Sequence, residues 1–480
     1  MIEPASPAAD DVQQHLREVQ ELLARHRLVE NLVHRQEMPR HDLVETLVHR
    51  QHVAGLQHLL DNLHPADIAF ILEALPLEDR RFVWDLVKAE RDGEILIEVS
   101  DAIRESLIEV MDPAELRAAA QSLDADELAD LVPDLPAHVI DDVFQSLDVT
   151  EREQLRAAMS YADDSVGALM NFDLVNVRED VSLEAVLRYL RRFETLPDHT
   201  DALYVVDREA HLKGLLSLEA LLINDPEQTV GEVMTREGVI SFEPADDASE
   251  AAQAFERYDL ISAPVVDGQG RVVGRLTVDD VVDFIREESE AELLARAGLR
   301  EGEDIFASVW DSVRNRWSWL AVNLVTAFVA SRVIGLFEGS IEKLVALAAL
   351  MPIVAGIGGN SGNQTITMIV RASATGQVSP DAFKRLLRKE LGVASVNGLL
   401  WGGLLGVLAW VLYSNPWLGV VMTAAMTLNL LLAATAGVAI PLLRLRVGRD
   451  PALGGSVMIT ALTDAGGFFI FLGLATLFLL

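Results

Sequence analysis

The sequence predicts a multidomain membrane protein. It has an all-α superhelical N-terminal domain, an α/β tandem repeat, an acidic connecting helix and a five-span α-helical transmembrane domain. Three observations carry this. Charge is split along the chain: residues 311–480 hold 12 Lys/Arg against 7 Asp/Glu, so the net charge of −35 leaves −40 on residues 1–310. A motif near residue 202 returns sixty residues later. From Trp317 onward, long apolar runs take over.

The first domain is placed at 1–164. Apolar residues recur every three or four positions in "LQHLLDNLHPADIAFILEALPLEDRRFVWDLV", the period of a helix with one buried face. Turns led by Pro or Asp punctuate it at Leu63-His64-Pro65, Leu75-Pro76-Leu77, Met111-Asp112-Pro113, Leu123-Asp124-Ala125 and Leu135-Pro136. Each ends one helix and caps the next, which suggests helix pairs stacked into a superhelix. Ahead of them, "LVENLVHRQ" (from Leu28) returns as "LVETLVHRQ" (from Leu43), a local duplication in an amphipathic helix.

The second domain is placed at 165–285. "ALYVVDREAHLKGLLSLEALL" (from Ala202) is echoed by "SAPVVDGQGRVVGRLTVDDVV" (from Ser262). Val205-Val206-Asp207 and Gly214 return as Val265-Val266-Asp267 and Gly274. Each copy reads strand, tight turn, strand, helix. The pair resembles tandem CBS (cystathionine-β-synthase) domains. The connecting helix and its linker follow at 286–310 and contain the acidic "REESEAELLARAGL".

Five spans are placed in 311–480, near 317–337, 344–370, 391–413, 417–443 and 454–480. Each reaches the ~20 residues that a bilayer core requires. Arg314 and Arg316 precede the first span. Arg371, Lys384, Arg385, Arg388 and Lys389 lie between the second and third, and Arg444, Arg446 and Arg449 between the fourth and fifth. Positive charge stays on the cytosolic side, so the N-terminus is expected inside and the C-terminus outside. The start of the chain has no basic stretch followed by an apolar core, so no signal peptide is expected. There is no cysteine, which excludes disulfides and thiolate metal sites.

Function is sought among the polar residues of the spans. Asp464 lies inside the last one, where a charge costs at least ~2.5 kcal/mol. It faces water or a cation, or it is protonated and bonded to a neighbouring helix. The second span carries "GIGGNSGNQT", in which Asn360 and Asn363 offer neutral oxygens to a hydrated hard cation. The same residues could instead bond between helices, as Asn429 of the fourth span is expected to do. The glycines permit close helix approach or local unwinding. Magnesium dehydrates reluctantly and prefers octahedral oxygen, so a conduction site of carboxylates and carbonyls suits it.

These features together resemble the MgtE magnesium channels, over nearly the whole chain. The specific marks are "GGNSGNQT" and "DPALGGSVMITALTDAGG". The resemblance implies a homodimer in the cell (inner) membrane with the pore on its two-fold axis. Asp464 matches the selectivity carboxylate, Thr460 a position contributing a backbone carbonyl, and Ser456 a position where some members carry the longer Asn. It also implies closure when cytosolic magnesium binds acidic residues of the soluble domains. The matching candidates are Asp126, Asp130, Asp259, Asp280, Asp283, Glu288 and Asp450. Some members bind ATP or another adenine nucleotide; Thr277 and Asp280 fit a ribose-contacting pattern. Magnesium and a bilayer are the implied partners, and no nucleic acid. The alternatives are a channel for cobalt or manganese, and a nucleotide-responsive membrane receptor without transport. No P-loop or nucleophile–base motif points to an enzyme.

Overall fold

A computed structural model describes residues 8–35, 53–299, 304–374, 383–447 and 454–480. Asp450 and the second copy of the "LVE-LVHRQ" duplication lie outside them. The chain divides into two compact units. The first comprises Met1–Glu288 and Asp304–Ala307, the second Ser289–Glu303 and Ser308–Leu480.

The first unit begins with a long helix, Ala8–Arg35, followed by short helices, around one apolar core that includes Val19, Leu56, Ile68, Leu72, Ile95, Leu107 and Leu131. Their starts follow the punctuation of the sequence. His64 caps Pro65–Glu73 by accepting from the Ala66 amide, and Pro65 occupies the first turn, where its missing N–H is no loss. Asp112, Asp124 and Asp148 each form a reciprocal capping box with Glu115, Glu127 and Glu151. Arg80 is wholly buried in this domain. It donates to the carbonyls of Leu72 (2.9 Å) and Leu75 (3.1 Å) and pairs with Asp304 at 2.8 Å.

The repeat forms two small sheets. β1 (Asn176–Arg178) runs parallel to β2 (Ala202–Val206), which pairs antiparallel with β3 (Leu212–Ser217). β4 (Ser262–Val266) pairs antiparallel with β5 (Val272–Thr277). Register is the same in both copies: Val205 faces Gly214 and Val265 faces Gly274, each with an irregularity one residue later. The two glycines are required by close approach. A Cβ on Gly214 would stand 2.4 Å from the Thr235 carbonyl, and one on Gly274 3.0 Å from that of Asn171. Those carbonyls belong to the segments bonded to β3 and β5, where Leu215 bridges Thr235 and Arg275 bridges Asn171. The helix after β5, Val278–Ala297, runs without a break from the repeat into the acidic connecting segment.

In the second unit four helices are long and apolar enough to cross a membrane: Val309–Gly335, Phe383–Tyr413, Pro416–Arg446 and Gly455–Leu479. The second expected span, Ala346–Ala374, has 29 residues but is not among these four. Its polar run is the physical reason. The run stays helical throughout, with no unwinding, and of its glycines Gly358 and Gly362 allow close packing. The buried face of Phe383–Tyr413 is a row at four-residue spacing: Glu390, Ala394, Gly398, Gly402 and Gly406. Small residues there bring it against Pro416–Arg446, and Thr423 donates to the Gly402 carbonyl at 3.0 Å.

Candidate functional site

Two constellations stand out, one in each unit. In the first, α1 (Ala125–Leu131) carries Asp126 and Asp130, four apart and so on one face. The helix after β5, α2 (Val278–Ala297), carries Asp280, Asp283 and Glu287 along one side. The α2 carboxylates add to the proton affinity of the α1 pair. Asp126 is pushed up to about 8, by desolvation first and then by Asp280, Glu127 and Asp124. Asp280 rises to about 6, again by desolvation, although the Thr277 hydroxyl and amide both donate to it. Asp130 also rises to about 6, from desolvation and the charges of Glu287, Asp280 and Asp101, against the pull of Arg104. It keeps solvent access, so its shift is the more readily screened. Glu287 is raised by desolvation and Asp101, and Glu98 by desolvation and Asp283.

Burial and like-charged neighbours both favour the neutral form of these carboxylates, and a bound cation would favour the charged form instead. Of the nearby guanidiniums, Arg104 is already paired with Asp101 and with Asp134 at 2.7 Å, and Arg286 with Asp283 at 3.5 Å. This donor set, hard oxygens on two elements, fits a divalent cation such as magnesium. Sequence reasoning missed Glu287 and Glu98. Glu287 was available from its spacing, seven residues after Asp280 on the same helix face. Glu98 had no sequence signal, because only the folding of the domain brings it near Asp283.

Other candidates lie apart. Asp259 is exposed and ends the helix Ala248–Tyr258 in a left-handed conformation (φ 52°), a backbone role. Glu288 accepts from the Ser249 hydroxyl at 3.3 Å. Asp283 pairs with Arg286 at 3.5 Å. Thr277 and Asp280, the nucleotide pair, bond to each other; the first copy has Ser217 and Ala220 at these places, so only the second can present that carboxylate. A compact group of Asp207, Glu209 and His211 has metal-like spacing. However, Asp207 accepts from the amides of Glu209 and His211 and pairs with Lys213 at 3.0 Å, which makes it the lock of the β2–β3 turn.

In the second unit the membrane helices are labelled α3 (Val309–Gly335), α4 (Ala346–Ala374), α5 (Phe383–Tyr413), α6 (Pro416–Arg446) and α7 (Gly455–Leu479). Helix α7 has two faces. Ile459, Thr463, Gly467 and Phe471 are buried in the unit. Ser456, Thr460 and Asp464, also four apart, lie on a second face that keeps solvent access in the single chain. Asn360 of α4 is exposed and Asn363 half-buried. Thr365, at the end of the same run, is buried and donates to Glu390 at 3.2 Å.

Glu390 is a buried carboxylate that the sequence reading did not single out. Placing the third span at 391 left Glu390 just outside. The helix begins at Phe383, and Glu390 is buried in its third turn, with Lys389 Nζ 3.3 Å from its other oxygen.

Comparison with known proteins finds matches along most of the chain. Residues 63–164 match the MgtE intracellular N domain, residues 166–225 and 230–287 the CBS domain, and residues 351–474 the MgtE divalent cation transporter domain. The chain is 33% identical over 432 residues to magnesium transporter MgtE of Thermus thermophilus, covering 88% of this chain and 95% of that one. It is 26% identical over 428 residues to magnesium transporter MgtE of Bacillus subtilis, covering 89% and 94%. Among solved structures, the cytosolic domain of the Mg2+ channel MgtE in complex with ATP is similar at 33% identity and a TM-score of 0.44, over 50% of this chain and 98% of that one. The chain belongs to the MgtE family of divalent cation transporters.

Proposed function

We propose that the chain is a magnesium-selective channel or transporter of the cell membrane, closed when cytosolic magnesium occupies the acidic cluster of the first unit. The observation that carries this reading is the crowding of Asp126, Asp130, Asp280 and Glu287 without a matching set of cations among the described residues. A divalent ion relieves that repulsion and holds α1 to α2, so occupancy favours the compact form. When cytosolic magnesium falls, the repulsion returns and the two elements part. The change travels along the segment that leads from α2 to the membrane.

The conduction path is assigned to Ser456, Thr460 and Asp464. Their face of α7 is left open by the single chain, and a second copy related by a two-fold axis would bring two Asp464 carboxylates to one pore. Two carboxylates balance one hydrated divalent ion, and bonding through water lets it leave. Asn360 and Asn363 would line the same path. Asp450 would stand near its inner end. Hard oxygen donors and the absence of Cys favour magnesium over softer divalent ions. The orientation follows the Lys/Arg asymmetry, with the N-terminus cytosolic and five spans, α4 being the polar one. The domain limits we assign are 1–164, 165–285, 286–310 and 311–480.

An adenine nucleotide would bind the second repeat copy through Thr277 and Asp280. Asp280 also faces Asp126, so nucleotide and cation would each alter the other's affinity.

The test is magnesium flux into proteoliposomes. Wild type should pass magnesium in strong preference to sodium, and Asp464→Asn, which keeps shape but loses charge, should not. Equal flux and selectivity in the Asn variant would remove Asp464 from the pore. Nucleotide-dependent signalling without flux would favour the receptor reading.

A further inference from the structure

Asn429 of α6 is completely buried, and half of its amide is unsatisfied. Nδ2 donates to the Val354 carbonyl of α4 at 2.9 Å, while Oδ1 has no hydrogen-bond partner among the described residues. A lone buried acceptor is destabilising, and an apolar residue of the same size would avoid it. The surroundings indicate what the amide is retained for. It lies against two glycines on two different helices. A Cβ on Gly358 of α4 would stand 2.3 Å from Nδ2, and a Cβ on Gly467 of α7 would stand 2.7 Å from it. A methyl at either place would press on the amide unless Asn429 shifted.

This socket ends a longer seam. The buried face of α7 runs along the glycines of α4: a Cβ on Gly362 would meet Ile459 at 2.7 Å, and one on Gly359 would stand 3.5 Å from Thr463 Oγ1. The seam therefore fixes both the rotation and the depth of α7. Thr460 and Asp464 each follow a seam residue, Ile459 and Thr463, by one position. At about 100° per residue, they project from the adjoining face. A small rotation of α7 about its axis would thus move Asp464 without unfolding anything.

We infer that Asn429 is a positioning residue for selectivity: wedged between Gly358 and Gly467, it sets where α7 presents Asp464. It touches no ion, and its amide fixes geometry at some expense of stability. The inference rests on the assignment of Asp464 to the pore.

The experiment compares Asn429→Leu, Gly467→Ala and Asp464→Asn in the full-length protein in proteoliposomes. It measures magnesium and sodium fluxes, with thermal stability in detergent alongside. Asn429→Leu is expected to fold with unchanged or raised stability, while its magnesium-to-sodium flux ratio drops by about tenfold. Gly467→Ala crowds the same amide from the other side and should lower the ratio too; it serves where the Leu variant does not fold. A folded Asn429→Leu or Gly467→Ala protein with the wild-type ratio, beside an Asp464→Asn protein that has lost it, would overturn the positioning role alone. A wild-type ratio in Asp464→Asn would overturn the pore assignment, and the inference with it. Loss of selectivity only in proportion to loss of folded protein would reduce Asn429 to packing and also overturn the proposal.

Discussion

The acidic cluster of the first unit and the buried Glu390 of the second treat the same chemical group in opposite ways. Glu390 sits among apolar helices yet has its own partners, the Thr365 hydroxyl on one oxygen and Lys389 near the other. Asp126 and Asp280 lie at a domain surface and face other carboxylates. The difference separates structure from function. A carboxylate with permanent partners needs nothing from solution, whereas one whose neighbours repel it must bind a proton or a cation. Asp464 likewise lacks permanent partners, because no hydrogen bond to its carboxylate is found among the described residues and its face of α7 is open.

The largest effect that would sharpen this comparison is at Asp464. An oxygen charge near a cation at an effective dielectric of about 20 contributes several kcal/mol. Asp464→Asn should therefore reduce selective magnesium flux on the order of a hundredfold, with the protein still folded by size exclusion and thermal melting.

Next comes the cluster. Asp126→Asn with Asp280→Asn removes two ligands and two repelling charges at once. Charge relief alone favours the closed form, but bridging contacts are short and bare repulsion is screened beyond ~8 Å. Loss of magnesium inhibition should dominate, read as a rightward shift of the flux curve by about tenfold or more.

Glu390 should behave differently from both. Glu390→Ala opens a cavity and leaves the Thr365 hydroxyl only its bond to the Ser361 carbonyl, so stability should fall by about 1–3 kcal/mol in a thermal melt. The ratio of magnesium to sodium flux should not change. A selectivity defect in a stable Glu390→Gln protein would break the distinction drawn here.

The smallest effect is pH dependence in the cytosolic unit. Asp126 rises from 3.8 to about 8 on folding, so its protonated form is the one the fold favours. That contribution is complete at low pH and is lost as pH climbs through about 8. Without divalent cations, the melting temperature should drop between pH 5 and 8. Saturating magnesium should flatten the curve, and its apparent affinity should rise with pH as protons cease to compete.

Much of the fold was legible because each element carries a local signal. Capping residues such as Asp112 and Asp148 announce helix starts, and the repeat around Val205 and Val265 announces paired strands. Asp464 was legible because a charge inside an apolar run is conspicuous. Glu390 was not, because lysines and arginines flank it, and hydropathy alone cannot distinguish the buried opening turns of a helix from a loop. Thr365 ends the polar run of α4, and only the packed helices show that it bonds Glu390. Asp259 looked like its acidic neighbours, and only its backbone angle reveals a helix end. Glu98 enters the cluster through folding, which no local pattern encodes.

The central claim is that unpaired carboxylates in the two units are cation sites with separate tasks, one conducting and one sensing. Its most direct measurement is magnesium flux through reconstituted protein as magnesium on the cytosolic side is varied, for wild type and for a variant with Asp126, Asp130 and Asp280 all changed to Asn. The account predicts that wild-type flux is shut off by cytosolic-side magnesium, and that the triple variant conducts with the same selectivity but resists closure. Superimposable inhibition curves for the two proteins would contradict it.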